Sequence, residues 1–202
     1  MNAETDSPNP DDPRTETRAP ALQPGIDNPA ALEGELSLRD GVLLHWRAIH
    51  ADDAARLQAF HERLSHQSLL FRFYGEMPEL SRELAERLCH VDYERRMAIV
   101  ATRGASADAP VVAVARYELQ SPGEAEFALV VEDRSQGQGI GPRLLRILAM
   151  YARGKGITTF VASVMYDNAH MLAMLRHIGL PAVHHLREGR VDVRLDISNA
   201  GS

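Results

Sequence analysis

A single cysteine, Cys89, leaves the 202-residue chain without an intrachain disulfide. No apolar run approaches the roughly 20 residues that a membrane-spanning helix needs. The N-terminal Met-Asn-Ala-Glu-Thr-Asp also lacks the basic and apolar regions of a secretory signal. Together these absences point to a cytoplasmic protein with no membrane partner. Aromatic residues are scarce, and residues 1–34 contain none, although that stretch holds six of the eleven prolines. It cannot bury enough apolar surface to offset its ordering entropy, so it is expected to be a disordered tail, either solvated or used for docking.

Charge is unevenly spread. Glu4, Asp6, Asp11, Asp12, Glu16 and Asp27 face only Arg14 and Arg18 in residues 1–30, so −4 of the net −6 sits there and −2 remains for the rest. A near-neutral body lacks the basic surface that nucleic-acid binding requires, and no nucleic-acid partner is expected. Lysine is almost absent too, Lys155 standing against 21 arginines. The remaining residues, 35–198, have the ordinary balance of one globular domain, with apolar side chains enough for one core.

Within that domain, Asp40-Gly41 is a turn dipeptide, and Val42–Ile49 after it reads as a strand. Ala55, Leu57, Phe60 and Leu64 form a helical stripe over residues 52–64. Further helices are expected over 67–73 and 81–90, followed by strands at 97–102, 111–119 and 125–131. A helix over 141–153 ends at Gly154 and Gly156. Then come a strand at 158–164, a helix at 168–178 stopped by Gly179 and Pro181, and a hairpin of 183–187 with 191–197. This order implies an α/β fold in the α+β sense, a mixed sheet with helices packed on it.

The richest stretch runs Ala125-Glu-Phe-Ala-Leu-Val-Val-Glu-Asp-Arg-Ser-Gln-Gly-Gln-Gly-Ile-Gly-Pro-Arg-Leu-Leu145: strand, turn, glycine-rich loop, helix. Gly137, Gly139 and Gly141 let main chain approach a ligand without a Cβ in the way. The unpaired N–H groups and positive end of the following helix face the same space, an arrangement suited to a pyrophosphate. Pro142 fits the first helical turn. A dinucleotide fold would place a small residue at position 142 and its glycines directly after the strand, whereas Glu132–Gln136 intervene here. Asp167, after the next strand, is that reading's candidate for the ribose-binding acid. A loop with no ligand at all is the third alternative.

Taken whole, Gln136-x-x-Gly139-x-Gly141 resembles the Arg/Gln-x-x-Gly-x-Gly/Ala signature of the GNAT superfamily, whose members bind the pyrophosphate of acetyl-CoA there. Asn168-Ala-His-Met-Leu-Ala-Met-Leu-Arg-His-Ile-Gly-Leu180 is similar to the family's Asn-led helix ending in Lys-x-Gly-Phe, with His177 and Leu180 in place of Lys and Phe. Upstream, Leu38-Arg-Asp-Gly41, Arg47-Ala-Ile49, Phe60-x-x-x-Leu-Ser-x-x-Ser-Leu-x-x-Arg-Phe-Tyr-Gly75, Asp92-Tyr93 and Val114-Ala-Arg-Tyr117 resemble one GNAT branch. That branch contains the acetyltransferase domains of bacterial protein lysine acetyltransferases, which modify acyl-CoA synthetases among other proteins. The resemblance covers about residues 36–180. It implies the acyl-CoA N-acyltransferase fold, with a mostly antiparallel central sheet flanked by helices.

It further implies acetyl-CoA as acyl-donor cosubstrate, with no metal, and acetyl transfer to a primary amine. A protein lysine, for instance on an acyl-CoA synthetase, is the first acceptor class. Small-molecule amine acetylation and a non-catalytic acyl-CoA-binding regulator are the alternatives, and the oligomeric state is open. Gln136, Gly137, Gln138, Gly139, Ile140 and Gly141 are the expected pyrophosphate loop. Arg143 reaches a phosphate or is solvated. Val130 and Val131 offer main-chain groups to the pantetheine amides. Asn168 binds the pantetheine arm, caps its helix, or does both.

Amide formation needs a neutral amine, and a lysine of pKa ~10.4 costs roughly 4–5 kcal/mol to deprotonate at pH 7. A carboxylate can take that proton directly or through a water, and a main-chain N–H can stabilise the oxyanion. Glu126 is the candidate base. It is an acid in an otherwise apolar strand, on one face with Ala128 and Val130, in an Ala-Glu-Phe-Ala context like that of the lysine-modifying relatives. The competing reading is an exposed glutamate paired with an arginine such as Arg116. Glu132 and Asp133 are expected to cap or solvate the turn, Glu124 to lie on the surface, and His170 to be a polar helix residue or a proton relay. Many GNAT enzymes have a tyrosine acid where this chain has Leu175, so no general acid is nominated; a thiol near ~8.5 can leave unassisted. Cys89 reads as a buried helix residue, and His184-His185 point to opposite strand faces, unsuited to one metal.

Overall fold

A computed structural model describes residues 29, 32–38, 40–75 and 77–201. The acidic, proline-rich tail expected over 1–34 therefore lies outside the described residues, apart from Pro29 and residues 32–34. Eight strands form one sheet in the order β1-β2-β3-β4-β5-β6-β8-β7. They are β1 (Glu33–Ser37), β2 (Leu43–Ala48), β3 (Arg96–Thr102), β4 (Val111–Ser121), β5 (Glu124–Val131), β6 (Thr159–Met165), β7 (Ala182–Arg187) and β8 (Arg190–Asp196). Five helices pack on it: α1 (Ala54–Glu62), α2 (His66–Phe73), α3 (Arg82–Cys89), α4 (Ile140–Gly154) and α5 (Ala169–His177). The mixed, mostly antiparallel architecture is the one the sequence implies, and the elements stand within a few residues of their expected bounds. One strand is new. β1 pairs with β2 from Glu33↔Arg47 to Ser37↔Leu43, so Glu33 and Gly34 stand in the sheet.

The centre of the sheet is apolar on both faces because helices cover both. Residues 97–102 of β3 and 111–115 of β4 are buried throughout. Leu44, Trp46, Met97, Tyr117 and Phe160 join the α4 and α5 side. Ile49, Leu57, Phe60, Val100 and Val114 join the α1–α3 side. Along α4, Ile140, Leu144, Leu148 and Tyr151 form one buried stripe, each worth roughly 1.5–3 kcal/mol of burial. That anchorage holds a helix start that begins with glycine and proline and has no side-chain cap.

The sheet opens at one place. β5 and β6 are parallel and pair only at Glu124↔Thr159, Ala125↔Phe160 and Glu126↔Val161. Beyond that point β6 follows its antiparallel partner β8 through Met165↔Arg190. β5 instead stays with β4, through Val130↔Val114 and Ala113↔Val131. The strands diverge as a V, and the starts of α4 and α5 stand at its mouth.

Candidate active site

A cleft of about 620 Å³ fills this V. Its walls are the splayed residues of β5, the loop from Ser135 to Pro142, the start of α5, and α2 with Tyr74. The loop presents main chain. Gly137 (φ 74°) and Gly139 (φ 80°) take the left-handed conformation, which turns successive amides the same way at little cost only for glycine. The Gly137, Gln138 and Gly139 amides donate to no acceptor among the described residues. The first-turn amides of α4 have no intrahelical partner either, so the positive helix end and a row of free N–H groups coincide. Gly141 sits where a Cβ would meet Leu129 at 3.2 Å and Met174 sulfur at 3.3 Å; bare backbone is what lets α4 approach β5.

The expected loop residues divide by role. Gly137, Gly139, Ile140 and Gly141 line the cleft. Gln136 lines it too, but its amide already donates to Asp133 (3.2 Å), and its side chain braces the loop by donating to the Val131 carbonyl (3.0 Å) and Ser68 Oγ (3.4 Å). Gln138 does not line the cleft, and its buried Oε1 has no partner among the described residues. Arg143 turns away, donating to the Ser37 carbonyl of β1. Val130 and Val131 lie on the open side of β5. Asn168 caps α5 by accepting from the Met171 amide (3.1 Å) and also borders the cleft.

Glu126 occupies the last paired position before the strands part. It is exposed to the cleft and accepts from Gln120 Nε2 at 3.2 Å. The rival pairing with Arg116 does not form: that guanidinium donates to the Leu88 carbonyl at 2.8 Å, and no ion pair reaches Glu126 among the described residues. Across the cleft Tyr74, left-handed at φ 57°, donates to the Ser163 carbonyl of β6 with the Arg190 guanidinium 4.5 Å above its ring. A strap thus joins α2 to the far lip beside Glu126. Burial, against the pull of Arg190, pushes the Tyr74 phenol up.

One expectation is overturned. Glu132 stands at the N-cap of the turn 133–135, its carbonyl accepting from the Ser135 amide (2.8 Å). Its side chain neither caps nor meets solvent: the residue is 2% exposed, held by Arg63 just after α1 (2.8 Å) and by Arg134 (3.0 Å). A carboxylate just after a strand bound for the cleft cannot remain in water when α1 covers it, and it persists buried because two guanidiniums meet it. Asp133 braces the start of α2, whose cap is Ser65, accepting from the Ser65 amide (2.9 Å), Ser65 Oγ (2.6 Å) and Ser68 Oγ (2.8 Å). The cofactor-side loop is thereby tied to the helix opposite. Glu124 is half-buried and bridges to Arg194 at 2.6 Å.

Leu175 is fully buried, and His170 borders the cleft. Cys89 is buried in α3, where desolvation raises its thiol to about 11, far from a nucleophile's range. Among the described residues His50, Asp52 and Asp53 approach metal-ligand spacing, but both Asp53 oxygens already accept from Arg47 and Arg56 at 2.7 Å. Ser65, Ser68, Arg72 and Tyr74, in and around α2, stand in the Phe60–Gly75 stretch that resembles the GNAT branch, but sequence reasoning assigned none of them to the site.

The acetyltransferase (GNAT) family model matches residues 51–180. The chain belongs to the GNAT acetyltransferase family. An acetyltransferase of Pseudomonas aeruginosa is 35% identical over 131 residues, 63% of this chain and 70% of that protein. Acetyltransferase Pat of Mycolicibacterium smegmatis is 32% identical over 146 residues, 71% of this chain but 43% of that longer protein. Among solved structures, the GNAT domain of S. lividans PAT superposes with a TM-score of 0.75 at 31% identity, covering 84% of this chain and 99% of that one. A cAMP-binding acyltransferase from Mycobacterium smegmatis matches with a TM-score of 0.58 at 29% identity, over 82% of this chain and 47% of that one. This GNAT chain is thus an acetyltransferase of a family that uses acetyl-CoA. None of its described helices is long and apolar enough to cross a membrane.

Proposed function

We propose that this GNAT enzyme works in the cytoplasm, transferring the acetyl group of acetyl-CoA to a lysine ε-amine of another protein, an acyl-CoA synthetase being the expected kind. In this reading the catalytic domain is the expected 35–198 extended back to Leu32 by β1, with the residues before it as its tail. The observation that carries it is the position of Glu126, the last paired residue at the apex of the V, in the same cleft as the glycine loop.

The cleft suits acetyl-CoA on its own evidence. Unbonded amides from Gly137 onward at the start of α4 match a diphosphate. The β6-facing main chain of Phe127–Val131, without a strand partner, matches the amides of a pantetheine arm. Gln136 braces the loop, and Asn168 fixes the start of α5 at the same arm. The resemblance to acetyltransferase Pat and to the GNAT domain of PAT supports the lysine acceptor.

The amine nitrogen attacks the thioester carbonyl carbon, the C–S bond breaks, and CoA departs with the electron pair. Glu126 takes the proton lost by the amine, directly or through a water in the open cleft. A departing thiol of pKa near ~8.5 needs no dedicated acid, in keeping with the buried leucine at position 175. Incubation with acetyl-CoA and a lysine-bearing protein, beside a polyamine, tests this. Acetyl-lysine detected by mass spectrometry, with thiol release that disappears in Glu126→Gln, is the expected result. Tight acetyl-CoA binding without amine-dependent thiol release would make the chain a regulator, and acetylation of the polyamine alone would replace the acceptor.

A further inference from the structure

Next to the cleft, between the helices α1–α3 and the sheet, lies a second and smaller cavity of about 40 Å³. Its wall is almost wholly apolar, with Leu57, Phe60, Leu80 and Leu88 on the side away from the cleft. Arg116 borders it but spends an N–H on the Leu88 carbonyl (2.8 Å). Such a void stays dry, because water needs polar partners that this wall does not offer. By the roughly 10–15 Å³ that one water-sized group occupies, it has room for two or three carbon atoms of a chain. Arg72, Ala128 and Val130 line the large cleft as well, so the two spaces share one wall.

That wall stands beside the reacting centre. Side chains alternate along a strand, so Glu126, Ala128 and Val130 share one face of β5, and Val130 packs with Val114 of β4 into the core on the α1–α3 side. Ala128 follows Glu126 on that face, about 7 Å along the strand, and is the smallest of the three side chains. With a single methyl there, the partition between cleft and cavity is thinnest next to the place a thioester takes beside Glu126. An empty void forfeits dispersion contacts for every atom that lines it. An apolar occupant restores them.

We propose that this cavity receives the end of an acyl chain longer than acetyl, so that the enzyme takes a four-carbon acyl-CoA beside acetyl-CoA and binds it more tightly. This rests on the reading that places the thioester beside Glu126. An acetyl group ends at its second carbon, at the partition. The third and fourth carbons of a butyryl group fill the void, and the end of a hexanoyl chain finds no room. The transfer keeps its balance: the amine nitrogen bonds to the acyl carbon, the C–S bond breaks, CoA leaves with the electron pair, and Glu126 takes the proton. Each carbon moved from water into an apolar pocket brings about a fourfold gain in affinity, hence roughly 15-fold for two.

Calorimetry on the whole chain with acetyl-, butyryl- and hexanoyl-CoA, with no acceptor present, tests this. Butyryl-CoA should bind roughly 15-fold more tightly than acetyl-CoA, and hexanoyl-CoA no more tightly than butyryl-CoA. Two variants on walls that the cleft does not share localise the gain. Leu88→Phe fills the cavity and should cut the butyryl advantage to about threefold or less. Val114→Ala enlarges it and should extend the advantage to hexanoyl-CoA. Acetyl-CoA affinity should stay within about twofold in both, and either variant alone is decisive if the other fails to fold. Equal binding of acetyl- and butyryl-CoA, or an order of affinities that a folded variant leaves unchanged, overturns the proposal and leaves acetyl transfer untouched. A chain that binds no acyl-CoA at all overturns the cofactor reading, and this proposal falls with it.

Discussion

On the α4 side of β5 the cleft is made of main chain: the amides of Gly137 and Gly139, unpaired among the described residues, the first turn of α4, and the open edge of the strand. On the α1–α3 side it is made of side chains: Glu126, Arg72, Tyr74 and, behind them, Arg116 and His61. The first surface depends on conformation and so on glycine. The second depends on which helix lies over which strand. A phosphate common to every acetyl-CoA molecule can be met by backbone alone, whereas telling one amine from another needs chemistry that only side chains carry. The two surfaces touch where Asp133 holds the serines that begin α2.

The sharpest way to separate the two sides is Glu126→Gln. Turnover, as kcat/KM with a lysine acceptor, should fall by about 10²–10⁴, while calorimetry finds the acetyl-CoA affinity unchanged. A comparable loss of affinity would erase the distinction. Removing a tie between the sides comes next. Arg63→Ala leaves Glu132 buried with Arg134 alone, a loss of about 3 kcal/mol, read as a fall of roughly 6–12 °C in unfolding temperature.

Gly139→Val acts on the cofactor side only. At φ 80° a branched residue carries about 1–3 kcal/mol of strain, and relieving it by moving the loop should weaken acetyl-CoA binding by roughly 10–100-fold. The acceptor KM should stay where it was. The smallest effect is expected at Asp133. Burial pushes its carboxyl up, but hydrogen bonds from Ser65 and Ser68 outweigh this and hold it below the usual carboxylate range. Its contribution is therefore complete above the unfolded value of ~3.9 and is lost as pH falls through the lower folded one. Asp133→Ala should cost about 1 kcal/mol at neutral pH, as the loss of a support for the α2 cap Ser65, with the difference from the wild-type chain vanishing in acid denaturation once the pH is below the lowered folded value.

Legibility in the sequence follows the same division. The glycine loop announces itself because backbone chemistry needs particular residues at fixed spacing, and Glu126 stands out as an acid among Ala, Leu and Val. The strands and helices were readable to within a few residues, since hydrophobic period and turn residues mark them. β1 was not: Glu-Gly-Glu-Leu-Ser carries no strand signature, and Gly34 is there because a Cβ would stand 2.7 Å from the Trp46 ring. Glu132 read as surface for want of any local sign that Arg63, 69 residues earlier, would come to meet it. Arg72 and Tyr74 stand in the Phe60–Gly75 motif, but their place on the wall of the cleft appears only when α2 is laid over β5.

The most direct measurement is an acetyl-CoA titration followed by backbone amide NMR. Saturable shifts at Gly137, Gln138, Gly139 and Gly141, together with Phe127–Val131, are expected, with the amides of β1 and β7 unmoved. If those loop amides stay in place while others respond, or none responds at all, then the diphosphate is not held at the start of α4, and Glu126 is not beside the acyl group.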